Sequence, residues 1–558
     1  MAQKMTGARL FAQTLQAYGV SHVFFMDAVL RRVLAEMEDF GITRVLGHSE
    51  KAVAYMADGF ARVSGRPGVC MAQSVGAANL AAAMQDPYLG HSAVIAFTGR
   101  HVSQFQHRNA YQEVEHGPLY AAVTKFHARI ETLDQMQHLL RQAFREATTG
   151  TPRPVHLDIA GYTGDAITPL EGDFDIVADE AHTRFPAFRP APDPAAVKRA
   201  ADAIARSARP VIVADRGVIV ANGAAALASL AERIQAPVVV TLDAKAAMLE
   251  DHRLFRGAVG LYGRGCANHV VAEADLVIFA GSNTSDHTTA NYNMPRQGTP
   301  VIQIDADPIE IGRNYPGTIG LLADPAAGMQ SLALACAPGQ RGDWLGHSQK
   351  YVDEWRAQAE QARGSEQIPM RPERLCRELT EVLPKDAILI ADTGYAALWT
   401  GTLVYLKYST QHYFRAAGSL GWSFPASLGA KCAAPDRPVI CFSGDGGFFY
   451  HLSELETARR RGIKTVTIVN NNHGLTQGLR NLTTAYGARD KNRMGECFEY
   501  RETDFARIAQ SFDCFGITVE KPQEFRKAFE AALASELPAV IDVKTEFGAQ
   551  AAAPWVPG

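Results

Sequence analysis

Short apolar runs alternate with helix-length segments along the whole chain, and these runs fall into three groups. The runs cover residues 22–26, 44–48, 68–72 and 92–99, then 210–215, 237–242, 276–281 and 300–305, and finally 387–392, 438–444, 465–471 and 538–543. Apolar runs of about four to eight residues between helical segments are typical of parallel strands covered by helices on both faces. The pattern therefore predicts an α/β fold with three doubly wound parallel sheets.

Two segments interrupt this alternation. Residues 184–197 are rich in proline, as interdomain linkers often are. Residues 343–373 are polar, have helical character and separate the second group of runs from the third. A chain of 558 residues is also too long for one hydrophobic core. We therefore predict three domains, at residues 1–183, 190–342 and 365–558.

Composition narrows the classes of function. The chain is 47% hydrophobic and 20% charged, and its formal net charge of −4 gives no basic surplus for binding nucleic acid. Its eight cysteines lack the spacing of zinc ligands, which favours reduced thiols. The chain has no run of about 18 uncharged apolar residues, so no membrane span is predicted. Residues 1–20 are typical of an amphipathic helix rather than a signal peptide. We expect a cytoplasmic protein that acts on a small-molecule substrate, without nucleic acid or membrane as a partner.

Polar clusters follow two successive predicted strands of the last domain. The first runs from Ser443 to Gly447 and contains Asp445, and the second consists of asparagines 470–472. Because carboxyl ends of parallel strands meet at one edge of a sheet, the two clusters can share a ligand. A diphosphate there needs a hard cation such as Mg²⁺, which prefers oxygen ligands, while glycines allow close approach of the backbone. The alternative is an aspartate that caps a helix and asparagines that lie in a loop.

This pair of clusters resembles the GDG and NN signature of thiamine-diphosphate-dependent enzymes. The run from Asn471 to Thr476 is similar to the NN-x-G-x-T form of that signature, with Asn472 as the side-chain ligand and Asn471 as the alternative register. The resemblance implies thiamine diphosphate and Mg²⁺ as cofactors, with Asp445, Asn472 and the carbonyl of Gly474 as metal ligands. The implied cofactor-binding residues here are Gly444, Asp445, Gly446, Gly447, Asn472, Gly474 and Leu475.

A glutamate in the first domain extends the resemblance. Residues 46–62 are similar to the HE-x-x-A-x-x-x-A-x-G-x-A-R stretch of acetolactate synthases and benzaldehyde lyases, with Ser49 replacing the histidine before Glu50. In that family the glutamate donates a hydrogen bond to the aminopyrimidine of the cofactor, which promotes loss of the C2 proton. Such a carboxyl is expected to be buried, because desolvation keeps it protonated near neutral pH. Without the resemblance, Glu50 is explained by a favourable interaction with a helix dipole.

Two further segments resemble cofactor contacts of the same family. Residues 416–425 are similar to the segment that touches the pyrimidine, and Leu420 falls where a large apolar side chain holds the cofactor in a bent form. Residues 391–395 resemble a loop that touches the diphosphate. The resemblance thus adds Thr393, Gly394, Gly418 and Leu420 to the cofactor-binding residues. It also implies a homodimer or homotetramer with active sites between subunits, because the glutamate and the diphosphate site come from neighbouring subunits in the family.

The segment around Gln112 bears on the reaction. Pyruvate decarboxylases resemble one another in a histidine pair and a later glutamate, and this chain has residues 111–113 and Gln477-Gly478 at those places. In acetolactate synthases and benzaldehyde lyases a glutamine at the position of Gln112 faces the reacting centre. A neutral amide can bind an alkoxide without delivering a proton. The resemblance therefore implies a carboligase or lyase for small 2-keto acids, 2-hydroxy ketones or aldehydes, with Glu50, Gln112 and Leu420 as catalytic residues.

Other residue types leave alternatives open. Gln112 taken alone is equally consistent with a solvated helix position. His101, His107 and His473 are candidate acid–base groups from the ordinary pKa of histidine, although each is more simply explained as structural or exposed. Residues 23–32 replace the glycine-rich turn of acetolactate synthases, which argues against a housekeeping acetolactate synthase. The arginines in that segment, Arg31 and Arg32, are more simply explained as exposed helix positions.

The middle third resembles the central domain of the same family. That domain holds FAD in acetolactate synthases and an adenine nucleotide in oxalyl-CoA decarboxylases. Residues 282–284, Ser-Asn-Thr, replace the arginine expected of flavin-type members, so FAD is left open and not predicted. Three alternatives remain at this point: an enzyme like 2-hydroxyacyl-CoA lyases or oxalyl-CoA decarboxylases, a simple 2-keto acid decarboxylase, and a cofactor-binding relative without catalysis.

Overall fold

The computed structural model describes residues 3–558, which contain three six-stranded parallel sheets and a small antiparallel pair. The strands are β1 Gln3–Thr6, β2 His22–Phe25, β3 Thr43–Leu46, β4 Gly68–Gln73, β5 Val94–Arg100, β6 Phe126–Ile130, β7 Val155–Ala160, β8 Glu171–Phe174, β9 Pro210–Ala214, β10 Val238–Val240, β11 Phe255–Ala258, β12 Leu276–Ala280, β13 Val301–Asp305, β14 Ile319–Leu322, β15 Ile388–Ala391, β16 His412–Arg415, β17 Val439–Gly444, β18 Val466–Asn471, β19 Phe515–Val519 and β20 Ala539–Lys544.

Helices connect the strands of each sheet. They are α1 Gly7–Ala17, α2 Arg31–Glu36, α3 Glu50–Ser64, α4 Ser74–Leu89, α5 His116–Ala121, α6 Leu133–Thr148, α7 Pro194–Arg206, α8 Arg216–Val220, α9 Ala224–Ile234, α10 Gly265–Glu273, α11 Pro325–Ala335, α12 Gly342–Arg363, α13 Pro372–Val382, α14 Tyr395–Leu403, α15 Ser423–Ala433, α16 Asp445–Phe449, α17 Glu454–Arg461, α18 Leu479–Tyr486, α19 Phe505–Ser511 and α20 Pro522–Ala534. Short 3-10 turns lie at Ser103–Phe105, Glu180–Thr183, Leu242–Ala247, Thr476–Gly478 and Met494–Cys497.

The three sheets use two strand orders. The N-terminal sheet runs β3-β2-β4-β5-β7-β6 and the C-terminal sheet runs β16-β15-β17-β18-β20-β19. The two orders are identical when the strands of each sheet are numbered along the chain from the first one. The central sheet runs β11-β10-β9-β12-β13-β14, the order of dinucleotide-binding folds. Where strand order reverses, as between β15 and β17, a crevice opens at the carboxyl ends of the strands and ligands bind there. This confirms the predicted fold class of three doubly wound parallel sheets.

Burial of both sheet faces explains the apolar runs. All residues of β5, β7, β9, β12 and β18 are buried, because helices cover both faces of a parallel sheet. Each large sheet lies inside one predicted domain range, and α12 occupies the polar segment between the second and third sheets. The domain boundaries themselves stay predictions. Across residues 3–558, no helix combines the length and apolar character needed to cross a membrane.

The N- and C-terminal domains share one hydrophobic core built around α3 and α15. Two glycines allow these helices to meet backbone to backbone. A β-carbon on Gly59 would lie 2.0 Å from the carbonyl oxygen of Ala426, and one on Gly429 would lie 1.8 Å from that of Met56. Because only glycine fits at such a distance, this contact fixes the two domains relative to each other.

Candidate active site

The predicted metal ligands lie at the carboxyl edge of the C-terminal sheet. β17 ends at Gly444, which pairs with Asn470 of the neighbouring β18. Asp445 therefore follows one strand and Asn472 follows the next, side by side at the same edge. On the other side of β17 lies β15, and Thr393 follows shortly after that strand. Three neighbouring strands thus direct predicted cofactor residues into one crevice.

The carboxylate of Asp445 is 3% exposed, and backbone amides are its hydrogen-bond donors. One oxygen accepts from the N–H of Gly446 at 2.6 Å, and the other accepts from the N–H of Gly474 at 3.0 Å. Burial raises the pKa of Asp445 to about 6, even though these amides lower it. A buried carboxylate without a cationic side chain bonded to it suits a hard metal ion such as Mg²⁺.

The structure separates the roles of the two candidate asparagines. The side-chain nitrogen of Asn471 donates to the carbonyl of Thr503 at 2.9 Å and to the carboxylate of Asp542 at 2.8 Å. The side-chain nitrogen of Asn472 donates to the hydroxyl of Thr476 at 2.9 Å, which turns its amide oxygen the other way. The geometry favours Asn472 as the ligand, because Asn471 is tied into the interior of the sheet.

Gly474 lies in a turn beside Asp445. The backbone bonds that hold this turn run through its neighbours, from Leu475 to Phe498 and from Tyr500 to His473. The N–H of Gly474 is used by Asp445. The side chain of Leu475 is 41% exposed and lies over Gly446, where a β-carbon would come within 2.6 Å of it. These contacts place the turn beside Asp445.

Glycines leave open space where the cofactor is expected. A β-carbon built on Gly418 or Gly444 would meet no atom within 4 Å, so the chain itself leaves the backbone uncovered there. Gly447 differs, because a β-carbon there would lie 2.9 Å from the hydroxyl of Ser443. Uncovered backbone beside a buried carboxylate is suited to a phosphate group and its metal ion.

Asp392 ties two of the predicted cofactor segments together. Its fully buried carboxylate accepts from the N–H of Thr393 at 2.9 Å and from the N–H of Gly421 at 3.0 Å. It also accepts from the hydroxyl of Ser423 at 2.7 Å. Burial raises the pKa of Asp392. The Thr393-Gly394 loop and the turn that carries Leu420 are therefore held at a fixed separation.

Asp86 fixes the same turn from the N-terminal domain. Its carboxylate accepts from the N–H groups of Ala417, Gly418 and Ser419 at 3.0, 3.2 and 2.9 Å. The buried guanidinium of Arg62 lies 2.8 Å from the same carboxylate and neutralises it. Leu420, the next residue, is half-buried. Its position is thus set by carboxylates from two domains.

Glu50 begins α3 and faces the start of α4. Its carboxylate accepts from the side-chain nitrogen of Asn79 at 3.2 Å, and a β-carbon on Gly76 would lie 2.6 Å from it. The sequence predicts a buried carboxyl in a site shared between subunits, and in the single chain Glu50 is half-buried. Within residues 3–558, no hydrogen bond joins Glu50 to the C-terminal domain.

Comparison with known proteins gives the family. Three models match: "Thiamine pyrophosphate enzyme, N-terminal TPP binding domain" at residues 5–119, the central domain of that family at 197–332, and its C-terminal TPP binding domain at 392–543. The chain is 32% identical over 556 residues to the probable acetolactate synthase large subunit of Methanocaldococcus jannaschii, covering 97% of this chain and 92% of that protein. The chain belongs to the thiamine pyrophosphate enzyme family.

A second relative places it within the family. The chain is 28% identical over 549 residues to the acetolactate synthase isozyme 2 large subunit of Escherichia coli, covering 97% of this chain and 96% of that protein. Thiamine pyrophosphate is another name for thiamine diphosphate. The chain is therefore a thiamine-diphosphate-dependent enzyme of the acetolactate synthase branch, an acetolactate synthase-like carboligase.

In this thiamine-diphosphate enzyme, Gln112 and Glu50 both contact the N-terminal part of α4. It occupies the loop between β5 and α5, not a helix as the alternative explanation assumed, and it is half-buried. Its side-chain oxygen accepts from the side-chain nitrogen of Gln73 at 3.2 Å, and its carbonyl accepts from the hydroxyl of Ser74. Since Ser74 begins α4, the start of one helix holds both Glu50 and Gln112.

The candidate histidines are less convincing as acid–base groups. His101 is bonded through its ring to the carbonyl of Tyr111, and His107 is exposed. His473 has its Nδ1 buried and without a hydrogen-bond partner in the described chain, and its carbonyl accepts from the N–H of Tyr500.

Arg31 is exposed and pairs with Asp27 at 3.1 Å, as expected of a surface helix position.

Sequence reasoning missed two residues that organise the site. Asp392 lies inside a recognised loop, yet its bonds to Gly421 and Ser423 are invisible in sequence. Asp86 lies in an apolar helical segment, and such a buried carboxylate needs partners. An aspartate in an apolar helix was therefore the available signal, although the sequence could not show that the partners of Asp86 lie in the C-terminal domain.

Proposed function

We propose that this enzyme joins two small carbonyl compounds, at least one of them a 2-keto acid, into a 2-hydroxy ketone. One 2-keto acid loses CO₂, and its acyl carbon forms a new bond to the carbonyl carbon of the second compound. Thiamine diphosphate, when bound, supplies the electron sink for the broken carbon–carbon bond. The observation that carries the proposal is that Glu50 and a neutral amide, Gln112, both bond to the first turns of α4 or the residue before it, through Asn79 and through Ser74 and Gln73.

The residues of the chain have distinct roles in this proposal. Asp445, Asn472 and the carbonyl of Gly474 would hold Mg²⁺, which would neutralise the charge of the diphosphate. Glu50 would hold a proton for the pyrimidine part of the cofactor, and Leu420 would supply an apolar contact to it. Gln112 donates an N–H to the oxygen that becomes negative when the new bond forms. Because an amide N–H is too weakly acidic to transfer its proton, it stabilises that oxygen without protonating the intermediate and diverting the reaction to an aldehyde.

We further propose that the active site forms between two subunits of a homodimer or homotetramer. The half-buried state of Glu50 supports this, since the remaining open side needs a cover to desolvate the carboxyl. Large apolar side chains near Asp445 are also exposed: Phe449 by 36%, Tyr450 by 52% and Leu475 by 41%. Adjacent exposed aromatic and aliphatic side chains favour a protein interface.

FAD has no part in the proposal. The crevice of the central domain contains a buried ionic network, in which Asp215 accepts from the hydroxyls of Thr241 at 2.6 Å and Ser282 at 2.8 Å. Beside it, Asp243 bonds Arg415 at 2.6 Å. These groups are already bonded to one another, so they give no support for a bound flavin. Action on a CoA ester is distinguished by the experiment described below. The cytoplasmic location stays a prediction.

The test is a panel of 2-keto acids, aldehydes and a 2-hydroxyacyl-CoA, with thiamine diphosphate and Mg²⁺, followed by identification of the products. We expect 2-hydroxy ketones and CO₂, and a rate roughly 100-fold lower for Glu50→Gln, because general acid–base groups contribute at least that much. Aldehydes as the sole products would instead indicate a simple decarboxylase. Cleavage of a 2-hydroxyacyl-CoA, with no ligation, would indicate a CoA-dependent lyase. Full activity of Glu50→Gln would remove the mechanism.

A further inference from the structure

Gln112 is held by its side chain in a defined orientation. Its amide oxygen accepts from two donors, the hydroxyl of Tyr162 and the side-chain nitrogen of Gln73. Tyr162 lies just beyond β7, and its ring packs 5.1 Å from that of His101. An amide oxygen has two lone pairs, and both are occupied here. The NH₂ group of Gln112 therefore faces away from these donors.

The main chain of Gln112 is fixed as well. Its φ of 58° lies in the left-handed region, and Ser74, whose hydroxyl donates to the Gln112 carbonyl, has a φ of 24°. Residues other than glycine rarely adopt such backbone conformations, so surrounding hydrogen bonds must stabilise them. One such bond comes from His116, whose Nε2 lies 3.0 Å from the carbonyl oxygen of Ser74.

His116 also belongs to a buried hydrogen-bonded pair. Its Nδ1 lies 3.0 Å from a carboxylate oxygen of Asp158, and the two residues are 1% and 2% exposed. A carbonyl only accepts hydrogen bonds, so Nε2 of His116 donates to Ser74. Burial raises the pKa of Asp158, but the hydrogen bond from His116 and its other partners outweigh burial, and the pKa lies below its usual value. Asp158 thus holds the His116 ring in place behind Ser74.

A metal ion is the alternative occupant of this cluster. His116, His156 and Asp158 place ligand atoms within 4.8 Å of one another. However, the hydroxyl of Thr98 lies among them, 2.7 Å from Nε2 of His156 and 2.8 Å from Asp158. Burial lowers the pKa of His156 to about 3, which leaves that ring neutral and able to donate to Thr98. The hydroxyl of Thr98 thus occupies the space between these ligand atoms, which disfavours a metal ion there. Nδ1 of His156 and Oδ2 of Asp158 have no hydrogen-bond partner in the described chain, and Oδ2 lies 3.5 Å from Nε of Arg100.

We propose that Tyr162 and the Asp158–His116 pair are positioning residues that present the Gln112 NH₂ group to the reacting oxygen. Tyr162 acts on the side chain of Gln112, and His116 acts on its main chain through Ser74. Because Ser74 begins α4, the same helix start also supports Glu50. The inference rests on the proposed function of Gln112, and nothing in it requires a proton to move.

The experiment compares Tyr162→Phe, which removes one oxygen atom, with His116→Asn and the wild type. Three quantities are measured: the ratio of ligated product to aldehyde, exchange of the cofactor C2 proton in D₂O, and thiamine diphosphate affinity by calorimetry. We expect the product ratio to fall about 10-fold, because a misplaced donor loses much of its effect on the developing charge. In Tyr162→Phe, C2 exchange and cofactor affinity should stay within about 2-fold, since they depend on Glu50 and Asp445, whereas His116→Asn acts through the helix start that also supports Glu50. Tyr408→Phe, an exposed tyrosine beside Lys385, is the control and should change none of them.

The outcomes separate this inference from the proposed function. A crystal structure of Tyr162→Phe with a turned Gln112 amide would support the positioning role. An unchanged product ratio in Tyr162→Phe, together with a lowered ratio in Gln112→Ala, would overturn the positioning role and leave the proposed function intact. Absence of C2 exchange in the wild type would overturn both. Stoichiometric zinc in the purified enzyme, lost in His116→Asn, would overturn the hydrogen-bond account of the cluster.

Discussion

Among single residues, Asn471 at the end of β18 and Asn472 just after it make different hydrogen bonds, which sequence could not separate. Asn471 donates to the buried carboxylate of Asp542, whereas Asn472 donates to the hydroxyl of Thr476. Side chains alternate between the two faces of a strand, so neighbouring asparagines point into different surroundings. A stability role and a metal-binding role can therefore be tested by changing one residue at a time.

Asn472→Ala should weaken the Mg²⁺-dependent binding of thiamine diphosphate, whereas Asn471→Ala should mainly lower the melting temperature. We expect a loss of affinity of roughly 10- to 100-fold for Asn472→Ala, comparable to the loss of other metal-site groups. Asn471→Ala leaves Asp542 with fewer donors, which costs about 1–3 kcal/mol. Calorimetric titration of cofactor at several Mg²⁺ concentrations and thermal unfolding distinguish the two. The reverse assignment of effects would place the ligand at Asn471.

Asp305 should give the stability of the central domain a pH dependence. Burial raises the pKa of Asp305 to about 7, far above its ordinary value of 3.8, and the residue is 9% exposed. Between these values the folded chain holds a proton that the unfolded chain has released, so stability falls as pH rises through about 4 to 7 and is then level.

Asp305→Asn removes this dependence. The melting temperature of the variant minus that of the wild type should be larger at about pH 8 than at about pH 5. Each kcal/mol of free energy of unfolding that the wild type loses over this range should add roughly 2–4 °C to the difference. Differential scanning calorimetry at the two pH values measures the gain. An equal difference at both would show that Asp305 does not titrate in this range.

At the scale of secondary-structure elements, the contact between α3 and α15 determines how the two end domains meet. Gly59 and Gly429 let the helix backbones touch, and the same helices carry Asp58, Arg62 and the residues that follow the Leu420 turn. The indole N–H of Trp422 donates to Asp58 at 2.9 Å across this contact. Packing of these two helices therefore also positions the cofactor segment.

Gly429→Ala should separate α3 from α15 and destabilise the enzyme. A β-carbon at 1.8 Å from a backbone oxygen forces a shift, and overpacking of this kind costs about 1–3 kcal/mol or more. The matched control is Gly346→Ala in α12, which is exposed and has no atom within 4 Å of the new β-carbon. That control should be neutral or stabilise by about 0.5–1 kcal/mol, as expected for a helix interior. Equal melting temperatures for the two variants would contradict the close-packing argument.

The same scale shows what sequence can predict of the fold. All twelve apolar runs became strands, because strands buried on both faces carry a strong local signal. Six strands of the large sheets were missed, and all but one of them, β7, lie at sheet edges. Edge strands such as β6 and β19 are half-exposed and alternate in polarity, so their identity depends on neighbours distant in sequence.

The site was predictable to a similar degree. Glu50 and Asp445 stand in local motifs and were recognised as such. Asp86 and Asp392 act through hydrogen bonds to the turn at residues 417–421, which is distant from both of them in sequence. No local sequence pattern predicts such a contact. Likewise, the burial of Glu50 depends on surfaces outside its own domain, which explains why Glu50 is half-buried in one chain.

For the whole molecule, the two end domains form one body that holds both halves of the cofactor machinery. The turn before Glu50 is clamped by α17, where Glu454 accepts from the N–H of His48 at 2.9 Å. Asp445 is equally fixed at the edge of the C-terminal sheet. Since both are rigid and no hydrogen bond connects Glu50 to the C-terminal domain in residues 3–558, a second subunit is the simplest way to complete each site.

Mixing two inactive variants tests this account most directly. Glu50→Gln and Asp445→Asn subunits are unfolded or dissociated together, reassembled in equal amounts and assayed for ligated product. If each site takes Glu50 from one subunit and Asp445 from the other, half of the dimers regain one intact site, and activity returns to about a quarter of the wild type. Activity no higher than that of either variant alone, in mixed dimers whose formation is verified by mass spectrometry, would contradict a site shared between subunits.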